Sequence, residues 1–397
     1  MEKINQDYKK YLSYMIYGSL MVLSLGLLTS MTLLSLSHIL MLIPALYFIN
    51  KADYKNFPKS AWALLAMILV IILSTVANQD IAINGFKPIL KSKYFLFGFL
   101  SIAPIAWYLK NYYSDKKLAW LIYAISLATT FATIAGLIGL WSGYNPVLMR
   151  AAYPGRNGGL FGMLMNYAHN LSFFLIIIFG FFLYKKRTQK FINTKFLIIV
   201  LIINLVGFYF TYTRGAWLGF LFGFSFFFFN GNKKKFITVL GSLIVIGTAA
   251  YFIAGHKVLR NNSNNERISQ WKAAYYAVKE RPVLGYGYLN FELHTTEIKK
   301  RYNIHNSDFQ GHAHSNFFEM LGATGILGFI AFLAWVGMWF YETTRKDEGK
   351  YNTMLACLVC MLVGGATQST IALGINLFFI MGLYSVWGSL YINEKKS

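Results

Sequence analysis

The stretch FLIIVLIINLVGFYFTYTRGAW, residues 196–217, decides the class of fold. Residues 196–213 carry no charge. In a helix rising about 1.5 Å per residue, such a run nearly matches the roughly 30 Å hydrocarbon core of a bilayer. Only then comes Arg214, set among Tyr212, Thr213 and Trp217. Runs of the same kind recur on both sides, and the 397-residue chain is 56% hydrophobic, 18% aromatic and 13% charged. An ordinary soluble domain is about 25% charged, so a soluble protein is excluded. Hydropathy and loop charge together predict twelve spans, near 11–30, 31–50, 60–77, 93–110, 118–141, 160–184, 196–213, 215–230, 236–254, 317–341, 353–370 and 374–392. The expected architecture is all-α: a polytopic transmembrane helical bundle, with residues 1–397 forming a single membrane domain. The first run has no small-residue cleavage site after it and reads as a retained helix. The eighth is short, which suits a tilted or re-entrant segment near Thr213.

A net charge of +22 would suit nucleic acid if it formed one surface. It does not. Lys and Arg cluster between apolar runs, at Lys51, Lys55 and Lys59; Lys110, Lys116 and Lys117; Lys185, Lys186, Arg187, Lys190 and Lys195; Lys233 to Lys235; and Arg345, Lys346 and Lys350. With Lys3, Lys9, Lys10, Lys395 and Lys396 these are 22 of the 37 basic residues. The positive-inside rule then places those loops and both termini in the cytoplasm, so the partners expected are membrane lipids and no nucleic acid. Cys357 and Cys360 share a face inside an apolar run, where packing is a better reading than redox or metal chemistry.

Three stretches on the opposite side carry charge: 78–93, 141–157 and 255–315. The last is a large extracytoplasmic loop with nine Lys and Arg against Glu266, Glu280, Glu292, Glu297 and Asp308, a balance that suits an anionic ligand. It also looks partly helical. Ile268, Trp271, Tyr275 and Val278 recur at helical spacing from Asn264 to Glu280, predicting an amphipathic helix on the membrane face or roofing a cavity. Pro282 ends it, Arg281 to Tyr288 reads as a tight turn, and Glu292 to Tyr302 as a second short helix. The loop is a lid.

Arg214 has two readings: a snorkelling anchor beside interfacial aromatics, or a phosphate clamp with Gly215 letting the ligand approach the backbone. Arg281 is either the cation that ends a helix or a second phosphate ligand. Arg267 lies one turn before Trp271, at cation–π spacing, and both are candidates for binding substrate. His305, His312 and His314 cluster before the tenth span, and a neutral imidazole there suits a general base. Zinc on His312 and His314 is the rival, but H-x-H is a weak metal signal and no cofactor is expected. Glu319, a turn into the tenth span, is a supporting carboxylate. His38 and His169 read as packed core residues. Paired glycosidase acids, P-loops and G-x-S-x-G elbows do not occur.

His314-Ser315, nine residues, then Gly325-Ile-Leu-Gly328 resembles the signature of the O-antigen ligase family, with Phe329 where the family favours Gly, Thr or Tyr. Thr213-Arg-Gly-Ala-Trp217 is similar to its Arg-containing element, and Glu280-Arg-Pro-Val-Leu-Gly-Tyr-Gly287 to the turn in its large periplasmic loop. The resemblance implies a bacterial inner-membrane glycosyltransferase whose site faces the periplasm. Such an enzyme moves glycan from undecaprenyl pyrophosphate to a hydroxyl of lipid A-core without metal. His314 would be the base, with Arg214, Arg281 and Arg267 on the pyrophosphate. A polymerase using a second lipid-linked glycan as acceptor shares these motifs. A twelve-span transporter should instead show charges at mid-membrane, and few occur.

Overall fold

The computed structural model describes residues 2–161, 163–184, 191–254, 261–346, 349–372 and 374–395. Lys185, Lys186, Arg187, Lys190, Lys396 and the start of the lid at 255–260 lie outside them. The described residues form fifteen α-helices: α1 (Glu2–Gly26), α2 (Met31–Ile49), α3 (Lys59–Ala77), α4 (Lys87–Leu100), α5 (Ile102–Tyr112), α6 (Asp115–Ser142), α7 (Leu164–Leu183), α8 (Thr194–Tyr209), α9 (Arg214–Ser225), α10 (Lys233–Ala254), α11 (Asn261–Glu280), α12 (Phe291–Arg301), α13 (Asn316–Thr344), α14 (Gly349–Gly365) and α15 (Gly374–Lys395). The single hairpin among them pairs Tyr144 with Ala151 and Asn145 with Arg150, antiparallel.

Eight segments are long and apolar enough to cross a membrane: α2, α3, α4 with α5, α6, α7, α10, α13 and α15. The protein is therefore a polytopic helical membrane protein. Helix α8, and α9 with the 3-10 turn that follows it, are apolar but shorter, as the brevity of the eighth run foretold. The other two expected spans coincide with α1, diluted by Lys9, Lys10 and four tyrosines, and with the 17-residue α14. Several boundaries need correcting: the first span, expected at 11–30, is Glu2–Gly26, and the eleventh, expected to end at 370, ends at Gly365. The span expected to start at 93 begins at Lys87, because Pro88 sits in the first turn, where a missing N–H breaks no intrahelical bond.

Small residues set the closest packing. Gly215, Gly219 and Gly223 recur every four residues along α9 and let it lie against α14. A Cβ on Gly215 would meet Thr367 Oγ1 at 2.1 Å, on Gly219 the Cys360 carbonyl at 2.8 Å, and on Gly223 the Ala356 carbonyl at 2.6 Å. This is the small-residue contact that lets helix backbones approach in lipid. Gly215 thus serves helix packing, and the idea that its bareness admits a ligand is corrected. Cys357 and Cys360 are buried in this neighbourhood as free thiols, and His38 packs with both Phe97 and Phe378 at 4.3 Å. At the end remote from the lid, Glu342 of α13 accepts hydrogen bonds from Lys59 N (2.6 Å) and Ser60 N (3.3 Å), capping α3.

The lid has its own core of Ala273, Ala274, Ala277, Tyr286, Phe291, Ile298 and Ala313, joined by Ala323 of α13. Here the expected stripe of α11 faces the core only in part. Its buried face is Ser269, Gln270, Ala273, Ala274 and Ala277, while Ile268 and Tyr275 are 47% and 52% exposed. Close approach of α11 to α13 selects alanine on the buried face and leaves Ile268 and Tyr275 outside it, while Trp271 packs against that core.

Candidate functional site

The site is built around a break in α13. Gly325 has φ 65° and ψ −165°, a backbone region essentially restricted to glycine. The turn after α11 fills the break: Tyr286 N and Gly287 N donate to the carbonyls of Gly322 and Ala323, and Ile326 N and Leu327 N donate to those of Pro282 and Val283, all at 2.8–3.2 Å. Ser74 of α3 reaches the Leu284 carbonyl at 2.6 Å. Gly285, also at positive φ, has no room for a Cβ, which would come within 2.6 Å of Gly325 N. Two of the glycine-bearing motifs in the sequence are thus halves of one joint.

Above this joint the chain enters α13 through His312, Ala313 and His314. His314 sits at φ 51°, a strained value for a side chain larger than glycine. Its neighbours are held on both sides. Ala313 N donates to Glu319 Oε2 (2.7 Å), Ser315 N to Ser369 Oγ (3.2 Å), and Asn316 exchanges hydrogen bonds with Thr370 Oγ1 and Ile371 N. The connection between α14 and α15 is thereby strapped to the entry of α13. Within that strap, Gln368 Oε1 lies 3.2 Å from His314 Nδ1. An amide oxygen only accepts, so Nδ1 carries the proton and Nε2 keeps its lone pair. Burial pushes the His314 pKa down, Gln368 opposes this, and the charges of Arg267 and His312 lower it further. The imidazole is neutral near pH 7.

The ring of Phe309 stacks on that of His314 at 6.2 Å. The Phe309 carbonyl is gripped by the buried ammonium of Lys299 and by Gln270 Nε2. These contacts hold the polar end of the lid over the imidazole.

His312 pairs with Glu292 of α12. Burial works against its charge, but the Glu292 hydrogen bond and the nearby Glu319 carboxylate outweigh it, and its pKa rises to about 9. Glu319 is fully buried, and its Oε1 has no hydrogen-bond partner among the described residues. Glu292, His312 and Glu319 each offer one atom within 4.8 Å of the others, a grouping that could hold a metal ion. The His312–His314 pair weighed from sequence is not that grouping. A protonated His312 between two carboxylates meets the same charge requirement.

Helix α11 links the arginines. Arg214, at the first turn of α9, donates to Asn264 Oδ1 at 2.8 Å. The segment before it is braced by Arg156, which donates to the carbonyls of Thr211 and Tyr212 and to Thr213 Oγ1. One turn along α11 from Asn264, Arg267 lies in electrostatic reach of His314 and His169. Trp271 follows it and stacks on Phe318 of α13 at 5.1 Å. Arg281 sits in another neighbourhood. Its fork holds Asp80 (2.6 and 3.3 Å) and Asn78 (2.6 Å), and its guanidinium lies 5.6 Å from the Tyr286 ring. This pairing holds the Asp80 carboxyl below the usual range. His305 is exposed.

Between α4 and the lid lies a cleft enclosing about 740 Å³ of empty space, its open mouth included. Lys87, Lys91 and Tyr94 line one wall, and Tyr288, Glu292 and His312 another. Sequence reading placed Lys87 and Lys91 in the charged stretch 78–93 without giving them a role, and it absorbed Gln368 and Ser369 into the eleventh span. The signal for the latter was four consecutive polar residues, Thr367-Gln-Ser-Thr370, ending an apolar run. His169, set aside as a core residue, is buried against Gly364, its Nε2 without a partner among the described residues.

Residues 197–333 match the family model described as O-Antigen ligase. An uncharacterized protein of Haemophilus influenzae is 25% identical over 355 residues, covering 81% of this chain and 82% of its own length. Members of the matched family are lipid-linked glycan transferases. The matched segment contains Arg214, Arg267, Trp271, Arg281, His312, His314 and Glu319. This chain is therefore a polytopic helical membrane protein carrying the O-antigen ligase family region in residues 197–333.

Proposed function

We propose that the protein is an O-antigen ligase, transferring glycan from undecaprenyl pyrophosphate to a sugar hydroxyl of lipid A-core. It works in the bacterial inner membrane as one twelve-span domain, with both termini cytoplasmic and the lid in the periplasm. The observation that carries this reading is His314. It is a neutral imidazole with the Nδ1 proton fixed by Gln368, beside the cation of Arg267, at a membrane helix entrance. Nε2 takes the proton of the acceptor hydroxyl as its oxygen attacks the anomeric carbon. The bond from that carbon to the pyrophosphate oxygen breaks, the electron pair leaves with the pyrophosphate, and attack from the opposite face inverts the anomer. Arg214 and Arg267, linked through α11, meet the growing negative charge, and fixed cations in such a place are typically worth several kcal/mol. Arg281, about 21 Å along the helix from Arg267 at 1.5 Å per residue, is a further phosphate ligand at the other end of α11, exchanging the Asp80 carboxylate for a phosphate edge. His312, Trp271 and Glu319 shape the floor. No step calls on a metal. Phe309 and the lid keep water from the donor.

Purified protein given lipid-linked glycan with lipid A-core should move glycan to lipid A, and His314→Ala should abolish the transfer while the protein remains folded. Chains lengthening on the carrier alone would instead identify a polymerase. Transfer by the His314→Ala variant at the wild-type rate would remove the base from the mechanism.

A further inference from the structure

The arginines on α9 and α11 account for one anion, the pyrophosphate of the donor. They leave unexplained a second group of cations on α4. Lys87 and Lys91 are one helical turn apart, so both ammonium groups share a face, and both line the cleft between α4 and the lid. The acid in its lining is Glu292, which His312 engages. The cleft's cationic wall is thus not neutralised from across the gap.

The cleft proper holds about 260 Å³, just under the roughly 300–1,000 Å³ typical of small-molecule sites, a size for a sugar with a phosphate group and not for a glycan chain. Its position ties it to the chemistry. His312 is in its lining and stands two residues before His314, and the Ala313 amide between them is fixed by Glu319. The cation of Arg267, by contrast, reaches His314 from α11. The entry of α13 therefore has two cationic stations built from different helices, Lys87 and Lys91 in the cleft that His312 lines and Arg267 acting on His314. A single pyrophosphate donor uses one.

We infer that the cleft lined by Lys87, Lys91 and His312 is the acceptor site, and that it selects an acceptor carrying a phosphate or pyrophosphate group near the reacting sugar. This rests on the glycan-transfer reading for the word acceptor; the anion site itself stands on the geometry. Lys87 and Lys91 hold the phosphate, and the Glu292–His312 edge faces the sugar. That shared chemistry has two sources, a phosphorylated lipid A-core saccharide or the pyrophosphate of a second lipid-linked glycan.

The test uses the full chain in zwitterionic nanodiscs. Binding of glucosamine 1-phosphate and of glucosamine is measured for wild type, the Lys87→Gln/Lys91→Gln double variant, and the Arg214→Gln/Arg267→Gln double variant. The phosphosugar should bind wild type, lose at least ten-fold in affinity in the lysine variant, and keep most of it in the arginine variant. Glucosamine should show no such difference. Equal phosphosugar affinity in wild type and the lysine variant, or a loss confined to the arginine variant, overturns the inference whether or not the protein transfers glycan. In a parallel transfer assay with both acceptors, the lysine variant should raise the KM of the true acceptor at least ten-fold with donor KM unchanged, and the acceptor affected names the source. Absence of transfer by wild type to either acceptor refutes the glycan-transfer reading. The binding measurement then still decides whether the cleft is an anion site.

Discussion

The Nδ1 atom of His314 lies 3.2 Å from Oε1 of Gln368, 54 residues further along the chain. The strap between α14 and α15 therefore decides which imidazole nitrogen is basic. Gln368→Leu removes the acceptor that fixes the tautomer and should lower kcat/KM roughly 100-fold, the lower end of what a positioned general base contributes. Gln368→Glu keeps an acceptor and should recover much of the loss, with the acid limb of the pH profile moved upward by the added negative charge. Full activity in Gln368→Leu would remove the strap from the mechanism.

His314 is held below its ordinary pKa by burial, and the charges of Arg267 and His312 add to this. A base with a lowered pKa stays deprotonated to lower pH. Log kcat/KM should therefore stay flat through pH 7 and fall only below the usual imidazole value near 6.5. Arg267→Gln removes one of the charges disfavouring the imidazolium, so its acid limb should shift to higher pH. An unmoved limb in that variant would show that Arg267 does not act on His314.

His312 behaves in the opposite sense. Its pKa is raised to about 9 in the folded protein, so the stability it adds through Glu292 and Glu319 is complete below about pH 6.5 and is lost as pH rises through about 9. Lid protection, followed by hydrogen exchange at 291–301, should weaken between pH 8 and 10. In His312→Ala that dependence should vanish.

Arg281 is gripped by Asp80 and Asn78, so a phosphate reaching its fork competes with a carboxylate. Asp80→Asn should lower the donor KM about three- to ten-fold with kcat little changed, and Arg281→Ala should raise it. If both substitutions raised the donor KM alike, the pair would be a tie between loop and lid and nothing more.

Gly325→Ala forces a side chain into a glycine-only backbone region and against Val283. The expected cost is on the order of 3 kcal/mol, backbone strain plus collision. Gly285→Ala should cost a similar amount, and the double variant less than the sum, because both fill one joint. Thermal unfolding of the detergent-purified variants measures this.

Much of the bundle was legible because lipid imposes long uncharged runs, and α7, α13 and α15 lie where hydropathy put them. The lid's two helices were legible from period and from Pro282. What escaped depends on contacts distant in sequence. Nothing local to Gln368 says that it faces His314, and nothing local to Ile268 and Tyr275 says that alanines will take the buried side of α11. Arg281 was visible as a cation in a turn, while its fork's occupant, Asp80, lay two hundred residues away. Lys87 and Lys91 stood out only as charges in the stretch 78–93, because His312, which shares their cleft, lies more than two hundred residues away.

The break at Gly325 also bears on how the chain is made. Unpaired amides and carbonyls inside a bilayer cost several kcal/mol each, and α13 satisfies four of its own with the turn at 282–287. Those residues leave the ribosome before α13 does. The turn must therefore already be in place when α13 arrives, so it acts as an assembly template for that helix.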